Sequence, residues 1–374
     1  MRAFLTLLFL LVIQSSWAQL NNQMFDQRNP VNEADSNKLF LNMKLLGFNK
    51  NNEYFGKIAD GYTLFGYQIN PSLSYLPTPH TRLDVGIYTQ KDFGNENYNK
   101  VQPTFTFSYK MGDAKLVFGT LEGATSHQLI EPLYDFENVM INRLENGFQL
   151  NVINDWLFFD AWLDWQEMLY SGEDNQEQLT GGLSSRYYLM DKNIRLSIPA
   201  QMVVKHIGGQ IDTSPLPLQT YVNTAVGLTL DFVRPDHNLI SNVRLDSYFV
   251  NYTDASGEQL RPFEDGSGFY INAEIKSKIG LEFMMSYWNA NEFLSIQGGK
   301  LYPSESSSVK YAPLIQEDRE LLIFRVFHNM QLADNLTLST RFEPFLDLIN
   351  NRFEFSHGFY LNYRADYKLA KYPK

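Results

Sequence analysis

Cysteine is absent from the 374 residues, which rules out a disulfide framework, a thiolate metal site and a lipid-attached N-terminal cysteine. Beyond residue 18 no run of about 18 apolar residues occurs, so the chain is not a helical membrane protein. The mean hydropathy of −0.30 agrees with that. Clustered basic residues are missing too: 31 Lys and Arg stand against 42 Asp and Glu, a formal net charge of −11. Such a balance does not neutralise phosphates, so nucleic acid is not an expected partner. No period of ~20 to 50 residues recurs, which sets aside propellers and solenoids. The six histidines, His80, His127, His206, His237, His328 and His357, are scattered without metal-ligand spacing. With no phosphate-cradling glycine loop and no nucleophile elbow either, no metal or cofactor is expected.

What is present begins with a secretory pattern. Met1-Arg2 supplies a positive charge, Ala3 to Ile13 is an unbroken apolar run, and Ser16-Trp17-Ala18 offers small residues at the cleavage positions. Residues 1–18 therefore read as a signal peptide. Residues 19–38 are polar and without period, and read as a flexible periplasmic lead-in. The remainder, 39–374, is read as one domain.

That domain alternates. Phe65, Tyr67, Ile69, Leu73 and Tyr75 share one face, with Gln68, Asn70, Ser72 and Ser74 on the other. Leu157, Phe159, Ala161, Leu163 and Trp165 likewise oppose Phe158, Asp160, Trp162 and Asp164. The closing segment sets Phe353, Phe355, Phe359, Leu361, Tyr363, Tyr367 and Leu369 against Arg352, Glu354, Ser356, Asn362, Arg364, Asp366 and Lys368. Segments of about 10 or more residues, with aromatics near both ends, suit an apolar band about 25 Å tall crossed at a tilt. Sandwich strands are about half that long. The fold expected is all-β: a transmembrane antiparallel β-barrel of about 16 strands, within a range of about 14 to 18. Short turns such as Pro77–His80 and Gly112-Asp113 alternate with longer loops, which gives the periplasmic and outer ends of an outer-membrane barrel and puts both termini in the periplasm. Polar Asn49–Gly61 is read as a loop, and Phe293–Gln297 as a short strand inside the Ser-rich stretch 291–320.

One stretch breaks the alternation. Gly123 to Asn146, GATSHQLIEPLYDFENVMINRLEN, is apolar in its middle and carries Glu131, Asp135 and Glu137. Folded inward, its Leu129, Ile130, Leu133 and Tyr134 would pack on the wall, because a loop of that length left in water exposes them without compensation. The three carboxylates then form a pore constriction that favours cations. Arg244, Asp246, Arg325, Arg341, Glu343 and Arg364 fall on the polar faces and are read as lumen-facing charges, joined in salt bridges or forming a basic wall. Trp162, Tyr88 and Tyr360 are lumen aromatics.

Ser356-His357-Gly358-Phe359-Tyr360-Leu361-Asn362-Tyr363 resembles the C-terminal signal by which bacterial outer-membrane barrels engage their assembly machinery, although Ala370 to Lys374 trail behind it. GTLEGATSHQLIEPLYDFE and EYFGKIADGYTLFGYQ resemble a poorly characterised family of porin-like outer-membrane barrels from the Bacteroidota. The non-alternating stretch joins strands five and six, as does the constriction loop of sixteen-stranded general porins, but the glycine-rich acidic motif of that loop is absent. The resemblance implies the outer membrane, its lipid and the assembly machinery as partners.

Ser126-His127 with Glu131 has the residue types of barrel hydrolases such as outer-membrane phospholipase or lipid A deacylase. Adjacent positions in an irregular loop do not make a triad, which is a matter of geometry. No catalytic residue is therefore assigned, and the chain is read as a non-enzymatic channel for passive diffusion of small hydrophilic solutes. The alternative is a binding or structural barrel, or a subunit of a larger outer-membrane complex. A barrel hydrolase comes third.

Overall fold

A computed structural model describes residues 22–191, 193–234 and 237–372. The segment read as a signal peptide lies outside the described residues. Sixteen strands, from β1 (Lys38–Glu53) to β16 (Arg352–Lys371), follow one another around a closed antiparallel barrel. The seam runs from Lys38 opposite Lys371 to Glu53 opposite Phe355. Closure removes the edges of the sheet, so the strands satisfy one another's backbone groups, as hydrocarbon requires. Tight turns gather at one end. Gly112 (φ +60°) turns the chain from Met111 to Ala114, and Gly280 (φ +82°) lies just before Leu281; both use the left-handed region that glycine enters without a Cβ clash.

Alternation sorts the side chains as the sequence implies. Along β7 (Leu157–Glu167), Phe158, Asp160, Trp162 and Asp164 are buried inside. Along β16, Phe353, Phe359, Leu361, Tyr367 and Leu369 are exposed to the bilayer, while Glu354, Ser356 and Tyr360 point inward. Leu361 is 43% exposed, and an arginine there meets hydrocarbon at a cost of ~2 to 4 kcal/mol near mid-bilayer. Leu361→Arg is therefore expected to reduce the folded fraction, scored by heat-modifiable gel mobility, whereas Leu361→Phe leaves it unchanged. Equal yields would mean that the two faces are exchanged.

Inside, protein replaces most of the water column. Residues 22–37, 54–62, 121–145 and 292–317 all enter or cap the lumen, and wall residues as large as Trp288, Arg244 and Arg319 are fully buried beneath them. Three sequence expectations change accordingly. The lead-in is packed, with Phe25 only 1% exposed. It meets Phe136 and Tyr360 edge to face at centroid distances of 5.1 and 5.0 Å. β1 continues to Glu53 rather than ending at Phe48, because Lys50 and Asn52 find a carboxylate inside the barrel and so need no solvent. Phe293–Gln297 forms no strand: Phe293 and Leu294 are buried in the lumen core, and that core competes successfully with sheet pairing.

Candidate functional site

The wall is short where the principal loop leaves it. β5 (Ala114–Thr120) and β6 (Asn146–Ile153) are the shortest strands, and β4 (Lys100–Met111) is paired to β5 only from Thr106 onward. Departure so far below the rim aims residues 121–145 across the lumen. Apolar side chains then hold them there. Ile130 and Leu133 join a cluster with Trp162, Val203, Trp288 and Phe293, and Leu129 packs against it. Val139 and Met140 join Phe25, Phe136 and Tyr360 on the other side. Each such side chain contributes about 1.5 to 3 kcal/mol of transfer free energy. Polar ties fix the path: Gln201 Oε1 accepts from the Ile130 amide at 3.0 Å, and Gln68 Nε2 donates to the Val139 carbonyl at 2.9 Å.

His127 anchors the loop entry. Its Nδ1 lies 2.5 Å from Asp160 and its Nε2 2.8 Å from Glu145, with the ring stacked 3.7 Å from that of Trp162. Burial disfavours a charged ring, but Glu145 and Asp160 outweigh it and raise the pKa to about 10. The imidazolium is the resting form. With both nitrogens donating to carboxylates it has no lone pair for a serine. Ser126 Oγ instead accepts from Gln149 Nε2 at 3.0 Å, and Glu131 lies elsewhere, so Ser126, His127 and Glu131 do not come together as a triad.

Each of the three loop carboxylates lies in the lumen beside a cation or a donor. Glu131 is ion-paired with Arg325 and accepts from Tyr302 at 2.5 Å and Tyr270 at 3.1 Å. Glu137 accepts from Lys50 and Asn52, both at 2.7 Å, and from Tyr62, with Lys300 at 3.7 Å. Burial raises the Glu137 pKa, but Lys50 overrides this and holds it below the usual range. Asp135 has only a backbone role, accepting from the Glu137 amide at 2.9 Å. Burial and the Glu137 charge push its pKa up to about 7. A carboxyl raised in the folded state loses stability as pH climbs from its free value near 3.9, and the loss is complete above about 7. Asp135→Asn is therefore expected to melt higher than the parent at pH 8 and together with it at pH 4. Parallel curves at both pH values would contradict the burial of that carboxyl.

The wall charges also point inward. Arg244 pairs with Asp231 at 2.6 Å and Glu274 at 3.6 Å, with Asp246 buried beside it. Arg325 adds Glu343 at 3.7 Å. Arg341 lies over the rings of Phe136 (4.4 Å), Phe25 (4.8 Å) and Tyr360 (5.6 Å). Arg364 donates to the carbonyls of Asp26 and Arg28. Periodicity alone did not single out Lys50, Tyr62, Lys300 or Tyr302, nor the second inward loop that carries the last two. A signal existed: Phe-Leu-Ser-Ile-Gln at 293–297 is an apolar island in a Ser-rich loop, as Leu129–Leu133 is in the first. Loop 54–62 caps this assembly through Ser308 Oγ, which donates to Asp60 at 2.6 Å, and the Ser307 amide, which donates to the Ile58 carbonyl at 2.8 Å.

Two polar chambers flank the crossing loop. One, a cavity of about 80 Å³, lies toward the periplasm and is lined by Arg28, Lys44, Ser72, Thr106 and Arg143 among others. The second, about 60 Å³, lies toward the outer mouth beside Lys50, Tyr62, Glu131, Asp135, Glu137 and Lys300.

Solved outer-membrane structures share this architecture. The chain is similar to the outer membrane protein OprD from Pseudomonas aeruginosa, with TM-score 0.52, 11% identity, and coverage of 89% of this chain and 94% of that one. It is similar to a loop L8 deletion mutant of OmpT, an outer membrane protein of Vibrio cholerae, with TM-score 0.52, 10% identity, and coverage of 87% and 99%. A third is OccK5 (OpdH) of Pseudomonas aeruginosa, with TM-score 0.51, 11% identity, and coverage of 90% and 99%. These likenesses concern the fold: the protein is a sixteen-stranded outer-membrane barrel. No curated protein matches the chain. A family model does, described as lipid A 3'-O-deacylase-type and matching residues 31–372. That match overturns the non-enzymatic reading, because the family is described by an enzyme activity. Alternation and histidine spacing register the barrel wall and local motifs, and neither reports on residues that meet only in the folded chain. Spanning residues 31–372 of the 374, the match makes this chain a member of the lipid A 3'-O-deacylase-type family.

Proposed function

We propose that the barrel passes small hydrophilic solutes across the outer membrane, with residues 121–145 as its narrowest point. Glu131, Asp135 and Glu137 line that constriction. The observation that carries this reading is the pair of cavities lined by charged side chains, about 80 and 60 Å³, on opposite sides of the crossing loop. A wall of sixteen strands is wide enough for an aqueous path, and here the path is narrowed by two inward loops joined through the Asp135 amide to the Gln297 carbonyl (2.7 Å) and the Gly299 amide to the Glu131 carbonyl (2.9 Å). Because Lys50, Lys300 and Arg325 offset the carboxylates, the constriction has no large excess of negative charge, and strong cation preference is not part of the proposal. Insertion through the assembly machinery, by way of β16, belongs to the same reading. Purified protein in planar bilayers tests it: discrete conductance steps are expected, and their absence across repeated insertions would refute the channel.

A second reading follows from the family's description, hydrolysis of an ester-linked acyl chain of lipid A. One observation favours it beyond the family match. His206 Nδ1 lies 2.8 Å from Thr220 Oγ1 at the outer ends of β9 (Ile194–Ile207) and β10 (Gln219–Val233). The neighbouring Lys205, Gln219 and Tyr221 are buried inside, so this pair faces outward, where outer-leaflet lipid lies. A hydroxyl and an imidazole within hydrogen-bond reach are the minimum for activating a nucleophile. Incubation with lipid A and mass spectrometry of released fatty acid tests it. Release by the parent and none by His206→Gln supports the pair; no release by the parent removes this reading.

A further inference from the structure

The periplasmic chamber has a charge pattern that channel geometry alone does not account for. Its two acids each have a cation: Asp84 pairs with Arg82 at 3.0 Å, and Glu122 holds Lys115 through Oε1 at 2.5 Å while its buried Oε2 has no hydrogen bond. Among the described residues, no carboxylate lies within ion-pair distance of Lys44, Arg143 or Arg364. These cations donate to peptide carbonyls of the N-terminal segment instead. Lys44 Nζ reaches the Gln27 carbonyl at 2.5 Å, Arg143 Nη2 the Phe25 carbonyl at 2.5 Å, and Arg82 Nη1 the Pro30 carbonyl at 3.1 Å. Arg364 holds the carbonyls of Asp26 and Arg28. Neutral carbonyl oxygens are thus in the place of anionic ones. The same chamber is also lined by the hydroxyl-bearing residues Ser72, Thr104, Thr106, Ser108 and Thr120.

We propose that this chamber is a binding site for a small hydroxylated organic anion, with Lys44 and Arg143 facing its carboxylate and the Ser/Thr wall facing its hydroxyls. Charge-assisted hydrogen bonds to an ionised oxygen are roughly twice as strong as those to a neutral one, so a carboxylate displaces the strap carbonyls from these two side chains. Bound there, the anion sits one step below the constriction. The site rests on the channel reading for its role, and names the solute class that such a channel takes.

Isothermal titration of the detergent-folded mature chain tests the site without requiring conduction. Gluconate and sorbitol share a carbon chain and differ in one carboxylate. Saturable binding of gluconate is expected at low salt, with none for sorbitol, and Lys44→Gln/Arg143→Gln weakens gluconate at least about tenfold. Sorbitol binding with gluconate's affinity, no gluconate binding, or an unchanged affinity in the double variant overturns the site. If the double variant does not fold, the parent decides through salt. Raising NaCl from about 20 to 500 mM weakens a charge-directed site about tenfold, and an affinity indifferent to salt overturns it. Conduction without gluconate binding leaves the channel and removes the anion site; binding without conduction does the reverse.

Discussion

A chain lacking residues 22–31 conducts several-fold more current per open channel than the full mature chain at the same voltage. The segment fills the periplasmic half of the lumen. Phe25 inserts between Phe136, Tyr360 and the Arg341 guanidinium, and cations from three strands and the crossing loop grip the carbonyls around it. Removing it replaces protein with water over that length. It also leaves Lys44, Arg82, Arg143 and Arg364 without those acceptors, so anion permeability rises with conductance. The strap contributes no strand, and the β1–β16 seam begins after it at Lys38, so the wall is expected to survive. Single-channel recording with a salt gradient reads both effects. Unchanged conductance would put the whole resistance in residues 121–145 and 292–317.

His127→Gln is expected to lower the melting temperature more than any other single change in the crossing loop. It leaves Glu145 and Asp160 buried and facing one another without the intervening cation, and breaking a buried charge arrangement by removing one partner costs about 3 to 5 kcal/mol. The double variant His127→Gln/Glu145→Gln recovers part of the loss, since only one carboxylate then remains. Alkali should imitate the mutation. With the ring's pKa raised from near 6.5 to about 10, its contribution is complete below the lower value and disappears as pH rises through the upper one. The parent therefore loses stability progressively from about pH 6.5 to about 10, and the His127→Gln chain shows a smaller loss over that range. Coincident pH profiles would mean that the imidazolium does not hold the loop.

The wall was legible because hydrocarbon and lumen impose opposite chemistry on successive residues. Phe158, Asp160 and Trp162 fall inside and Leu361 outside because a pleated strand admits no other sorting once one face is known. The crossing loop was legible for a related reason: Ile130 and Leu133 interrupt a polar region with side chains that need cover. Less of the site could be read. Lys50 belongs to a polar run that looks like a loop, and only its partner Glu137, far along the chain, makes it a strand residue. The lead-in reads as flexible because its one aromatic, Phe25, is surrounded by polar residues. Its stability comes from backbone carbonyls, which carry no sequence signature at all. Enzyme chemistry of the kind the family's description implies depends on residues brought together by the fold, and nearness in sequence was uninformative: Ser126 and His127 are adjacent but bond elsewhere.

The same strap gives the barrel a record of its own completion. It is made before any strand of the barrel, yet Tyr360, Asn362 and Arg364, which hold Phe25, Met24, Asp26 and Arg28, belong to the last strand. Until β16 meets β1, half of that cradle does not exist. Docking of the N-terminal segment is therefore a late event by construction, among the longest-range contacts in the chain, and it happens only to molecules whose sheet has met itself around the full circumference. A protease that cuts near residue 25 would accordingly digest unfinished barrels and spare finished ones, so that the N-terminus reports on the state of the C-terminus.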